Sequence, residues 1–276
     1  MPLSAVALAL GAAFLHAGWN VLLAGSRDTR STTAGLLLFG TLLLAPAAVV
    51  TGGVSTSALP YIAASAVLEL CYFLLLARAY DSGEVSVVYP IARGSAPVVV
   101  LAFGAVALKE GVAAGAVAGV LLVALGVLLV GLGALWPLEG AKSALPRTDV
   151  WFGLAIGAVI ASYTLVDAEG VERADPIAYL ALVVAPCAVV YPFVAKVRPD
   201  VGVRSALTAA ATFGAYLLVL AALRLAPAAP VSAVRESSVV IAALLSAVVL
   251  HERVDAKRVA GAFAVTAGVA AIALSG

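Results

Sequence analysis

Charge is what this chain has least of. Only 11% of its 276 residues are Asp, Glu, Lys or Arg, where a soluble domain carries roughly a quarter. Its 16 basic and 15 acidic side chains cannot coat a water-facing surface of this size. The net charge of +1 gives no basic stripe, which excludes nucleic acid as a partner class. Cysteine is nearly absent. Cys71 and Cys187 each sit in an apolar stretch, where they read as small packing residues and not as a disulfide framework or metal site. Histidine occurs only as His16 and His251, and neither His-Glu-x-x-His nor Gly-x-Ser-x-Gly is present. A membrane-embedded hydrolase therefore lacks its usual signature. No Gly-Lys-Ser/Thr phosphate loop supports ATP hydrolysis, and no cofactor pattern is found. The first apolar run has no Lys or Arg ahead of it and continues past Gly11 to about Ala24. It reads as a membrane span over 3–24, because a secretory leader has a basic start and an apolar core of only ~7–15 residues.

What the chain does have is apolar runs, which make up most of the 64% hydrophobic content. A spanning helix needs roughly 20 apolar residues, and barrel strands would alternate instead. The breaks predict ten spans, near 3–24, 33–50, 59–79, 85–107, 112–135, 150–167, 176–195, 204–224, 228–250 and 257–275. Charged or glycine-bearing turns separate them, such as Arg27-Asp28-Thr29-Arg30, Asp81-Ser82-Gly83-Glu84 and Lys109-Glu110-Gly111. The longest connection, 136–149, carries Pro137, Gly140 and Pro146. The expected organisation is an all-α polytopic membrane protein: a five-helix unit over 1–136, a linker over 137–149 and a second five-helix unit over 150–276.

An internal repeat carries that division. At an offset of 142 residues, Arg93 meets Arg235, Ser95 meets Ser237, and Glu110 meets Glu252. Gly119 meets Gly261 and Gly126 meets Gly268. A second match sets Ala45-Pro46-Ala47-Ala48-Val49-Val50 against Ala185-Pro186-Cys187-Ala188-Val189-Val190. Five spans per unit is an odd number, so the copies must enter the bilayer in opposite directions. Such inverted repeats are a common build of secondary transporters.

With these residues in place the chain resembles the drug/metabolite transporter superfamily, in its ten-helix branch with two EamA-like repeats. The resemblance rests on the turns Leu108-Lys109-Glu110-Gly111-Val112 and Leu250-His251-Glu252-Arg253-Val254, each followed by a glycine-bearing last helix. It also rests on proline near the start of the fourth and ninth helices and on His16-Ala17-Gly18-Trp19-Asn20 in the first. It covers nearly the whole chain and implies transport by alternating access, often export of amino acids or other metabolites. In one respect the chain departs from it. Typical members place both termini in the cytoplasm. Here Lys and Arg concentrate on the connections after spans 1, 3, 5, 7 and 9, so the positive-inside rule puts both termini outside.

A charge at mid-bilayer is costly and marks a partner or a wet cavity. Arg93 lies eight residues into its span, about 12 Å at 1.5 Å per residue. Arg235 and Glu236 lie about as deep in span 9, Glu69 is midway along span 3 and His16 midway along span 1. These predict a central cavity with Arg93 and Arg235 as cations and Glu69 and Glu236 as carboxylates. Trp19, Tyr72, Tyr163 and Tyr216 supply aromatic walls, and Asn20 lies beside Trp19. Ser162 and Asp167 are the other polar members of span 6. A cavity of both signs suits an amino-acid-like zwitterion or small organic anion, because Arg clamps a carboxylate with two parallel bonds. Glu69 and His16 are the proton-coupling candidates. Pro90, Pro97, Pro46 and Pro186 are the gating candidates, since proline interrupts the helical hydrogen bonds.

Structural alternatives stand beside these readings. Arg93 and Glu69 can form an ion pair joining two helices. Arg235 and Glu236, as neighbours on one helix, point about 100° apart and should not share one spot. The overall expectation is a multi-pass secondary transporter of the bacterial cytoplasmic (inner) membrane. It would move a small polar metabolite, with protons as the coupling ion, as a monomer or homodimer. A lipid or lipid-linked flippase is the alternative, and a membrane-embedded enzyme the weaker one.

Overall fold

The computed structural model describes residues 1–51, 53–82, 85–107, 112–133, 147–250 and 256–275. These form α1 (Leu3–Ala24), α2 (Thr29–Thr51), α3 (Leu59–Ser82), α4 (Val85–Ala107), α5 (Ala114–Gly133), α6 (Arg147–Gly170), α7 (Pro176–Ala195), α8 (Val203–Leu223), α9 (Ala228–Arg235), α10 (Ser237–Leu250) and α11 (Ala256–Leu274). A single 3₁₀ turn, Thr56–Ala58, precedes α3. Nine of these helices are long and apolar enough to cross a membrane. The tenth crossing is α9 followed by α10, broken at Glu236. The predicted spans are thus all present. The Glu110 and Glu252 turns, with His251, and most of the 137–149 linker lie outside the described residues.

The helix starts follow local chemistry. Asp28 accepts hydrogen bonds from the Arg30 and Ser31 amides and the Ser31 hydroxyl. This cap starts α2 at Thr29, four residues before the predicted span, because a capped polar turn continues the helix beyond its apolar part. Asp175 caps α7 in the same way, through the Ile177 and Ala178 amides, with Pro176 at the first helical position. Lys196 closes α7 in a left-handed conformation at φ 55°.

The packing is that of an inverted repeat. On α5 an added Cβ at Gly119 would lie 2.6 Å from the Gly268 carbonyl oxygen, and one at Gly126 would lie 2.6 Å from that of Gly261. The reciprocal positions on α11 give the same contacts, Gly268 to Gly119 at 2.6 Å and Gly261 to Gly126 at 2.7 Å. Position 119 corresponds to 261 and 126 to 268 in the repeat, so the two crossings exchange when the copies are exchanged. Helices α5 and α11 therefore run antiparallel across a pseudo-two-fold axis, in backbone contact that no larger residue permits.

The copies interdigitate. Helix α1 packs on α8, α3 on α6, and α2 on both α7 and α8. Main-chain bonds tie the copies at both rims. At one rim the amide of Asp175 donates to the Gly53 carbonyl at 2.7 Å and that of Ser55 to the Arg173 carbonyl at 3.2 Å. At the other, the amide of Asp200 donates to the Ser31 carbonyl at 2.9 Å. The exterior is apolar, with Val50, Val106, Phe193 and Phe263 exposed, while Arg93, Asp167, Arg235 and Glu236 are buried. This inverts a soluble fold and matches a lipid surround.

The prolines behave differently from expectation. Helix α4 stays continuous through Pro90 and Pro97, and the interruption falls in the other copy, at Glu236. Pro46 lies in the last third of α2, whereas Pro186 lies at the middle of α7.

Candidate functional site

Six helices line one cavity in the core. Helix α1 contributes His16 and Trp19, α3 Glu69 and Tyr72, α6 Tyr163, α7 Cys187, α8 Thr212 and Tyr216, and α9 Arg235. Its water-accessible space is about 40 Å³, room for a few waters. Larger hollows lie on the exterior, one between α5, α10 and α11 and one beneath the connections around Asp28 and Asp200. Their linings are apolar or solvated and hold no buried charge.

The aromatic wall is continuous. Tyr72, Tyr163 and Tyr216 meet edge to face, with ring centroids 5.9 Å and 6.0 Å apart, and Phe73 extends the row at 5.4 Å. Such contacts hold three helices at fixed spacing and keep the rings from turning. On α1 the Trp19 indole donates to Nδ1 of His16 at 3.0 Å. Indole nitrogen only donates, so Nδ1 carries a lone pair and the imidazole is neutral with its proton on Nε2. That nitrogen is buried and has no partner among the described residues.

The alternative ion pair, Arg93 with Glu69, is not the one formed. Arg93 Nη1 meets Glu236 Oε1 at 3.1 Å, so its carboxylate partner is Glu236 and not Glu69. Arg235 Nη2 also reaches Glu236 Oε1, at 3.4 Å. These neighbours do face one spot, against the 100° argument, because Glu236 occupies the break between α9 and α10. The backbone there is held by i to i+3 bonds, Glu236 to Ala233 and Val239 to Glu236. One carboxylate thus joins the equivalent arginines of the two copies. Arg93 also lies over the Tyr89 ring at 5.3 Å and lines a small adjoining hollow that shares Tyr72 with the main cavity. Asn20 lies outside the lining, its amide bonded back to the His16 carbonyl at 2.8 Å.

One group carries more than its sequence context suggested. Asp167 is fully buried and accepts the Tyr179 hydroxyl at 2.7 Å and, on its other oxygen, the Tyr216 hydroxyl. Asp167 and Arg235 are the charges that act on Glu69. The sequence marked Asp167 only as a polar member of its span. Its phenol partners come from α7 and α8, and no local spacing could reveal them.

Ten antiparallel-repeat spans around a buried, doubly charged cavity define a membrane transport protein. The chain belongs to the EamA-like transporter family, whose profile matches twice, over residues 3–132 and 148–274. This agrees with the ten-helix branch of the drug/metabolite transporter superfamily. Among solved structures, one described only as the crystal structure of a protein superposes with a TM-score of 0.79 at 15% identity. It covers 99% of this chain and 98% of its own. At that identity the likeness shows the fold alone. No curated protein matches.

Proposed function

We propose that this protein is a secondary transporter that moves an amino-acid-like zwitterion or small organic anion across the bacterial cytoplasmic membrane by alternating access. The carrying observation is a cavity inside the helical bundle whose lining combines nitrogen and hydroxyl donors with a carboxyl group. Arg235 Nε, His16 Nε2 and Thr212 Oγ1 are buried and unpartnered among the described residues, and all three residues line the cavity with Glu69. Buried polar atoms without partners are costly, so they are groups held ready for a polar guest. On this reading the cavity widens as it opens, a substrate carboxylate meets these donors and its ammonium meets Glu69. The tyrosine row bounds the side chain.

The Lys and Arg bias puts the connections after α1, α3 and α7 in the cytoplasm, so the rim tied through Ser31 and Asp200 is the inner one. The test is uptake of radiolabelled amino acids and organic acids into proteoliposomes with an imposed pH gradient. Wild-type protein should accumulate at least one of them. Arg235→Gln should lose transport by more than tenfold while inserting normally. Normal transport by that variant would remove Arg235 from the substrate site.

A further inference from the structure

Five buried charged side chains lie in the described core: Arg93 and Arg235 against Glu69, Asp167 and Glu236. His16 is neutral by its bond from Trp19. Three carboxylates against two guanidiniums leave one uncompensated negative charge inside a low-dielectric bundle. Such a charge is far costlier than a neutral group. One bound proton removes it.

The hydrogen bonds say where that proton sits. Glu236 takes both guanidiniums, and so is ionised. Asp167 takes a phenol hydroxyl on each oxygen, which is the pattern of an acceptor. From α3, the Ser65 hydroxyl also faces Asp167. It is fully buried. Glu69 remains. The titratable and charged groups around this pair are His16 on α1, Tyr72 on α3, Tyr163 on α6, Tyr179 and Cys187 on α7, Tyr216 on α8 and Arg235 on α9. The Tyr216 phenol donates to Asp167 and shares the cavity wall with Glu69. A hydroxyl that donates on one side has lone pairs free to accept on the other.

We infer that Glu69, Tyr216 and Asp167 form a site for a single proton, with Tyr216 as the relay between the two carboxyl groups. The proton rests on Glu69, whose O–H bond breaks as a new bond forms to the Tyr216 oxygen. The Tyr216 O–H bond breaks in the same step as one forms to Asp167. One proton moves and no other reactant is needed. The move leaves Glu69 ionised and facing the cavity, ready for a cationic amino group. This deepens the transporter reading by making that proton the coupling ion.

The test does not depend on transport, so the two readings can fail separately. Infrared difference spectra of the purified protein in nanodiscs, between neutral and alkaline pH, report protonated carboxyl groups by their carbonyl stretch. Wild type should show one buried acid at neutral pH. Glu69→Gln and Asp167→Asn should each abolish it, because either substitution balances the core without a proton. Tyr216→Phe should keep one acid but move its band toward that of a free, unbonded carboxyl. Absence of the band in wild type, or its survival in Asp167→Asn, would overturn the proposal. If Asp167→Asn fails to insert, an unmoved band in Tyr216→Phe would overturn it instead.

Discussion

Replacing Glu236 by Gln removes the one carboxylate that joins the arginines of the two copies. In the native protein its Oε1 lies 3.1 Å from Arg93 and 3.4 Å from Arg235, and all three side chains are buried. The amide keeps the shape and one acceptor oxygen but none of the charge. Two guanidiniums then face each other in a dry core. Removing one partner of a buried pair costs about 3–5 kcal/mol, here because both guanidiniums lose the carboxylate they contact. With roughly 2–4 °C per kcal/mol for a chain of this size, the unfolding midpoint should fall by about 6–20 °C. Size-exclusion thermostability in detergent measures it. The charge argument makes a second, sharper claim. Arg93→Met combined with Glu236→Gln should be less harmful than Glu236→Gln alone, since the double change deletes one cation with the anion. A double-mutant cycle gives the coupling. Additive losses, or a Glu236→Gln midpoint within 2 °C of wild type (roughly 1 kcal/mol), would refute the reasoning.

Three further outcomes follow from the geometry. Gly126→Val should lower the unfolding midpoint markedly, because its Cβ would meet the Gly261 carbonyl oxygen at 2.6 Å, whereas Gly18→Ala, with nothing within 4 Å, should leave the midpoint within error or raise it; thermal melts of the two variants check this. The Ser31 hydroxyl and amide hold the Asp28 carboxyl below its ordinary value of 3.8. Its cap is therefore fully stabilising above that value and lost as the pH falls through and below it, so Asp28→Ala should destabilise at neutral pH and make little difference near pH 3, as read by melts at both values. In a Cys71→Ala background Cys187, buried in the cavity wall, should react slowly with a water-soluble maleimide and faster when transport is running, as read by mass spectrometry. Rapid labelling of the resting protein would contradict a sealed cavity.

The architecture was legible in the sequence because a bilayer imposes length and apolarity on every crossing, and each short turn carries its own charge or glycine. The inverted repeat was legible because Arg93 with Arg235 and the four glycines of the last helices recur at one offset. The cavity lining was partly legible, since a charged or aromatic residue in mid-span has few places to go. Pairing was not. Arg93 chooses Glu236 over Glu69, and Glu236 reaches both arginines, because the helix breaks there through i to i+3 backbone bonds that no proline marks. Asp167 was passed over because its meaning lies in hydroxyls from two other helices.

The seams at Gly53 with Asp175 and at Ser31 with Asp200 join the first copy to the second at opposite faces of the membrane. A protein sewn to itself in this way cannot hinge as two blocks cut at the middle of its chain. If the proposed alternating access is right, one seam parts while the other holds, and the bodies that swing each borrow helices from both copies. Gene duplication supplied the parts in two equal sets, but the machine they make is divided along a different line.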